Sequence, residues 1–331
     1  MRRRLPYLAV PIAALLIVLS EVTLPYWSEG PGPAREVEPL IDVSGHQVYQ
    51  SQGKFILTSV AGHPLNVFQA IGAWLDPKRA VVSEDLFVLP GESEQQATER
   101  ASSEMDQSKL VAAAFVLAKV AGYPKNHGPG VLVDALGTDC PATGRLFVGD
   151  LLQSVDGKPV GSERDFERLV NSVPAEQPIR LAGRAGGERF SVRLIRRPCS
   201  GYRMPIIGID TIPNFPFRVR ISSGDIGGPS AGLMWALGLY DLLTPGDLPA
   251  DRTIAGTGTL NFVGTVGPIG GVTDKIVAAE QEGAKVFLVP RKNLAEARSA
   301  AAGITLVPVG TFQDALRYLR GLADSAGNAG A

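Results

Sequence analysis

The sequence predicts an α+β protein behind an N-terminal transmembrane helix. Three observations carry that expectation. An apolar run from Leu5 to Leu19 follows Arg2, Arg3 and Arg4. Between about residues 126 and 198, short β-type runs recur between glycine-containing turns. Beyond Ser230, apolar strand-like runs alternate with helical stretches, the pattern of a sheet covered by helices. With 38 glycines and 25 prolines in 331 residues, the chain has too many turns for a helical bundle. A formal net charge of −1 gives no electrostatic footprint for nucleic acid, so that class of partner is not expected.

Residues 1–27 read as a signal anchor. Counted on to Leu24, the apolar stretch reaches the roughly 20 residues of a membrane span, with Tyr26 and Trp27 as an interfacial belt. The three arginines place the N-terminus in the cytoplasm. No small-x-small cleavage site follows the run, which favours an anchor over a cleaved signal peptide. The remainder is then expected outside the cytoplasm, tethered to a bacterial-type cytoplasmic membrane.

Residues 28–40, polar and rich in proline and glycine, read as a linker. Residues 41–125 read as a mixed α/β scaffold segment. It has strands at 47–50 and 55–60, a short helix from Leu65 to Leu75, and an amphipathic helix from Glu104 to Val120. Nothing in this segment suggests chemistry. Residues 126–200 read as a β-rich unit with Gly130, Val131, Leu132 and Val133 as its first strand. Asp156-Gly157 is its hairpin turn, 166–170 a short helix, and 179–181 and 190–195 closing strands. Cys140 and Cys199 bracket this unit. A disulfide there is open, since Cα atoms more than about 7 Å apart could not be bridged. His46, His63 and His127 are scattered and there is no CxxC, so neither zinc nor another metal is expected. No cofactor is implied.

The chemistry falls between Gly224 and Lys275. Ser230 follows Gly227-Gly228-Pro229 and opens an apolar helix; Lys275 follows Gly270-Gly271 and opens another. A serine hydroxyl needs a base to take its proton, and lysine serves only when neutral. From about 10.4, its pKa must fall by roughly 3 units to work near neutral pH. The helix start disfavours a cation, and apolar neighbours such as Val272 and Ile276 supply burial. Backbone N–H groups around Gly227, Gly228 and Ser230 are expected to form the oxyanion hole. Thr257 and Thr273 are candidates for orienting Lys275, and Asp225 for shaping the loop. Further on, 285–290 and 304–309 read as strands, 294–301 and 312–322 as helices, and 322–331 as a disordered tail.

These motifs carry a resemblance. Gly228-Pro229-Ser230-Ala231-Gly232, Thr257-Gly258-Thr259-Leu260 and Pro268-Ile269-Gly270-Gly271-x-x-x-Lys275 make residues 201–321 similar to the proteolytic domain of Lon-type proteases. Asp274 stands where many Lon proteins have glutamate. Residues 126–200 resemble a bacterial-type PDZ domain, carried by 130–133, by Val148-Gly149-Asp150-Leu151-Leu152 and by the hairpin at Asp156-Gly157. Together the chain resembles membrane-anchored, PDZ-containing Lon-like serine proteases. The resemblance implies a partly open β-rich PDZ barrel and an α/β proteolytic domain. Ser230 would be nucleophile, Lys275 general base, and 130–133 the strand that pairs with a peptide. It implies protein or peptide substrates recruited through the PDZ unit, and a ring-shaped homo-oligomer. The sequence lacks a Gly-x-x-x-x-Gly-Lys-[Ser/Thr] phosphate loop, which implies an ATP-independent endopeptidase. The other reading is a proteolytically latent, membrane-tethered PDZ scaffold.

Overall fold

The computed structural model describes residues 5–75, 80–199 and 201–329. The N-terminal part contains α1 (Leu5–Glu21), β1 (Thr23–Glu36), β2 (Ile41–Ser44), β3 (Lys54–Asn66), α2 (Val67–Leu75), β4 (Ala80–Ser83) and α3 (Glu94–Val120). The middle contains β5 (Gly128–Leu136), β6 (Leu151–Val155), β7 (Lys158–Pro159), α4 (Glu163–Asn171), β8 (Pro178–Ala185), β9 (Glu188–Ile195), β10 (Arg197–Cys199), β11 (Tyr202–Ile206) and β12 (Ile209–Asn214). The C-terminal part opens with β13 (Arg218–Ile221), α5 (Gly232–Leu243), β14 (Thr253–Gly256), β15 (Thr259–Leu260) and β16 (Val266–Gly267). It closes with α6 (Val272–Gln281), β17 (Val286–Pro290), α7 (Leu294–Ala300), β18 (Thr305–Val309) and α8 (Phe312–Ala329).

A six-stranded mixed sheet, ordered β18-β17-β14-β3-β1-β4, joins the two ends of the chain. β14 runs parallel to both β3 and β17, while β1 runs antiparallel to β3 and β4. Alternation along the strands divides the core between two faces. Phe55, Leu57, Ile254 and Leu288 join the cluster holding Leu117 of α3, Trp235 of α5 and Leu319 of α8. Ile56, Ala255, Phe287 and Val289 join the other cluster, with Val272, Ile276 and Ala279 of α6. The result is a helix–sheet–helix sandwich. α5 is buried nearly all round, and the Trp235 indole N–H reaches Met105 Sδ of α3 at 3.4 Å. α3 starts ten residues earlier than the sequence pattern suggests, because Ser93 and Gln96 form a capping box.

The stretch expected as a linker, 28–40, lies largely inside this sheet. Residues 28–36 belong to β1, and Val37 is fully buried. Pro31 and Pro33 give this strand the composition of a linker. They flank the register irregularity between Pro31 and Ala34, where a missing ladder N–H costs little. The scaffold segment likewise supplies β3 and α3 to the same core as the C-terminal helices. The anchor reading also changes at its end. α1 stops at Glu21, and residues 23–27 belong to β1, where Thr23, Tyr26 and Trp27 pair with Asn66, Ser83 and Pro64. α1 is 17 residues long, and no described helix is long and apolar enough to cross a membrane. Residues 1–4 lie outside the described residues. Residues 47–50 form no strand, and the expected tail continues α8 as far as Ala329.

The middle unit is a second six-stranded sheet, ordered β12-β5-β6-β8-β9 with β7 paired to β6, and all its pairings are antiparallel. Its core gathers Val131, Val133, Leu152, Ile179 and Leu181 with Phe166 and Leu169 of α4. The unit runs past the expected boundary at residue 200, because β12 closes its edge. Cys140 and Cys199 form a disulfide with Cα atoms 5.1 Å apart. Gly208, just before β12, has φ +80°, and a Cβ there would stand 2.2 Å from Cys140 Cβ, so only glycine fits.

Candidate active site

Ser230 and Lys275 meet. The Lys275 Nζ and Ser230 Oγ are hydrogen-bonded at 2.7 Å, although 45 residues separate them in sequence.

The serine side is built as a sharp turn from β13 into α5. Residues 229–231 form one turn of 3-10 helix, entered through Gly228 at φ +83° and ψ 160°, a conformation open to glycine. The turn is clamped from several directions. The Thr257 hydroxyl donates to the Ser230 carbonyl at 3.0 Å, and the Gly258 N–H donates to the same oxygen at 2.7 Å. From α3, the Ser108 hydroxyl donates to the Pro229 carbonyl at 3.1 Å. The Gly228 N–H donates to the Ala101 carbonyl at 2.7 Å.

Two expectations change here. Thr257 holds the nucleophile turn and not Lys275, and among the described residues no hydrogen bond joins Thr273 to Lys275. The Gly228 N–H is already spent on Ala101 and is unavailable to an oxyanion. The N–H groups of Gly227 and Ser230 remain, the latter among the first, unsatisfied donors of a helical start. Gly227 also sits against α3, where a Cβ would lie 2.9 Å from Ala101 Cβ. These α3 contacts were invisible in the sequence, where Ala101 and Ser108 are ordinary helix residues.

The lysine side is dry. Gly271 adopts φ +63° and releases the chain into α6, whose apolar face lies on β1 and β3. Lys275 falls in the first turn of α6 and is 3% exposed. Burial pushes its ammonium down to about 8, opposed by the Glu29 carboxylate on β1. Burial in turn raises the Glu29 carboxyl, as does its neighbour Asp274, while Lys275 lowers it. Glu29 has no sequence signal, because it lies in the stretch whose composition reads as a linker. A lysine in this state is about half neutral near pH 8 and can accept the proton of a hydroxyl 2.7 Å away. Ser230 and Lys275 open onto a cavity of about 240 Å³, also lined by Arg35, Asp225, Ile226 and Gly227.

Gly130, Val131, Leu132 and Val133, expected to pair with a peptide, have no free edge. They lie in β5, which is hydrogen-bonded to β12 on one side and β6 on the other. β12 is the edge strand on their side of the sheet, with α4 packed near it. The sequence reading ends the unit at residue 200 and so leaves β12 in the following domain.

Residues 214–317 match the family of the Lon protease (S16) C-terminal proteolytic domain. Lon protease 2 of Bacillus subtilis (strain 168) is 40% identical over 103 residues, covering 31% of this chain and 17% of that protein. The Lon protease of Methanosphaera stadtmanae is 28% identical over 171 residues, covering 50% of this chain and 20% of that protein. The chain thus spans about a fifth of the length of these curated relatives. Among solved structures, the PDZ domain of the SdrC-like protein of Listeria monocytogenes is similar at 24% identity. It covers 25% of this chain and 86% of that one, with a TM-score of 0.23. Its Listeria innocua counterpart is 26% identical, covers 25% and 92%, and has the same TM-score of 0.23. The similarity to Lon-type serine proteases thus falls on the C-terminal part of the chain, the part that holds Ser230 and Lys275.

Proposed function

We propose that this chain is an ATP-independent serine endopeptidase, anchored to a membrane by its N-terminal segment, with Ser230 as nucleophile and Lys275 as general base. The observation that carries the reading is the 2.7 Å hydrogen bond between a buried lysine and a serine on a turn entered through Gly228. Neutral Lys275 takes the Oγ proton as Ser230 attacks the scissile carbonyl. The N–H groups of Gly227 and Ser230 face the developing oxyanion. The lysine ammonium then protonates the leaving amine, and water, deprotonated by the same lysine, hydrolyses the acyl-enzyme. Lacking a phosphate loop, the chain would cut unfolded or flexible substrates.

Residues 128–214 act in this reading as a PDZ-type module that recruits extracytoplasmic or membrane proteins. The support is the residue-level resemblance together with β12, an edge strand able to take an added strand, with α4 beside it. The anchor is supported by the three arginines and the apolar run that follows, and α1 alone falls short of about 20 residues.

Incubating the detergent-solubilised chain with casein in the absence of ATP tests the activity. Cleavage by wild type and its loss in both Ser230→Ala and Lys275→Ala is the expected result. Cleavage that survives in Ser230→Ala would sink the mechanism. A wild type that cuts nothing would favour the latent PDZ scaffold.

A further inference from the structure

We infer that Arg35 makes this site selective for substrates carrying an aspartate or glutamate side chain next to the scissile bond, an inference that rests on the endopeptidase reading. Arg35 lies on β1, paired with Leu57 of β3, and its side chain lines the same 240 Å³ cavity as Ser230 and Lys275. The guanidinium lies across the loop leading to the nucleophile. Its Nη1 is 2.8 Å from where a Cβ of Gly224 would stand, and Gly224 has φ +59°. A side chain at 224 would displace the guanidinium, so the loop is shaped to let it lie there.

Several cations of this fold pair with carboxylates on the protein: Lys54 with Glu36, Arg100 with Glu92, and Arg291 with Asp314. Arg35 is partly buried, and among the described residues no hydrogen bond or ion pair engages its guanidinium. Asp225 lines the same cavity but is exposed and forms no ion pair with Arg35. A guanidinium always carries its charge, and it offers a planar fork of donors that matches a carboxylate. Placed beside a nucleophile and its base, such a fork is completed by a carboxylate brought in on the substrate. Lys275 does not compete for that carboxylate while it is neutral, the state the reaction needs.

The test uses internally quenched peptides, amidated at the C-terminus so that only a side chain supplies the carboxylate. They differ only in carrying Glu, Gln or Lys at each position flanking the scissile bond. The full-length wild type in detergent should prefer Glu over Gln at one such position by about 10- to 100-fold in kcat/KM, the range of a charge-assisted hydrogen bond. The ratio should fall to about 1 in Arg35→Gln and be partly kept in Arg35→Lys. It should turn towards Lys in Arg35→Glu. Because the ratio is read within each variant, a general loss of rate does not imitate it. A wild type that digests casein yet is indifferent to Glu, or favours Lys, overturns the inference and leaves the protease reading standing. So does a Glu preference that persists in Arg35→Gln. A wild type that digests neither casein nor any peptide overturns both.

Discussion

The antiparallel sheet of the middle unit is drawn from one unbroken stretch, residues 128–214, and its ends meet: the Gly128 N–H donates to the Phe215 carbonyl at 3.2 Å. The mixed sheet takes β1, β3 and β4 from the first 83 residues and β14, β17 and β18 from beyond residue 252. The first sheet could be lifted out at a single point. The second cannot form without both ends of the chain, and it is the one beneath Lys275. The chemistry thus rests on the non-local sheet. β1 brings Glu29 and Arg35, and α3 braces the serine turn through Ala101 and Ser108.

The largest effect should come from deletions that attack this difference. Joining residue 127 to 215 removes the middle unit, and we expect the shortened chain to keep a cooperative thermal transition and to cleave short peptides. Deleting 23–36 removes β1, next to the sheet's centre, and should abolish the cooperative transition followed by circular dichroism. A cooperative, active protein lacking β1 would break the comparison. At the level of one side chain, Trp235→Ala should cost about 3–5 kcal/mol in denaturant unfolding. Trp235 is fully buried and ties α5 to Met105 of α3.

A smaller, pH-dependent effect should come from Glu38, which accepts the Phe55 N–H at the start of β3. Burial pushes its carboxyl from 4.5 up to about 8. Because the folded value lies above the unfolded one, its contribution is complete below pH 4.5 and is lost as pH rises through 8. The stability of wild type should therefore fall between pH 5 and 8. In Glu38→Gln the fall should shrink by about 1–3 kcal/mol, at 1.36 kcal/mol per unit discounted for partial exposure. An unchanged slope would show that Glu38 stays ionised in the fold. The smallest effect is expected from Glu29→Gln. Glu29 is the charge that raises the Lys275 value against burial, so the acid limb of the pH–rate profile should move to lower pH.

The local unit was legible in outline because its signals are local. The Asp156-Gly157 turn, the runs around Leu152 and Leu181, and the Cys140–Cys199 bracket all lie within one stretch. Its open edge was not legible, since β12 arrives after the cysteine bracket and pairs backwards onto β5. The reactive pair was legible because glycine-rich turns mark both helix starts. What surrounds the pair was not. Pro31 and Pro33 suggested a linker, and no local pattern shows that a strand with a bulge belongs beside β3. Glu29, Arg35, Ala101 and Ser108 therefore carried no sequence signal, and Thr257 was assigned to the wrong partner.

The central claim is that a buried lysine activates Ser230, and the most direct measurement follows Ser230 acylation by a fluorophosphonate label as a function of pH. The account predicts labelling confined to Ser230, rising with pH through a midpoint near the Lys275 value of about 8, and lost in Lys275→Met. Labelling of Lys275→Met at the wild-type rate, or a midpoint unmoved by that substitution, would contradict it.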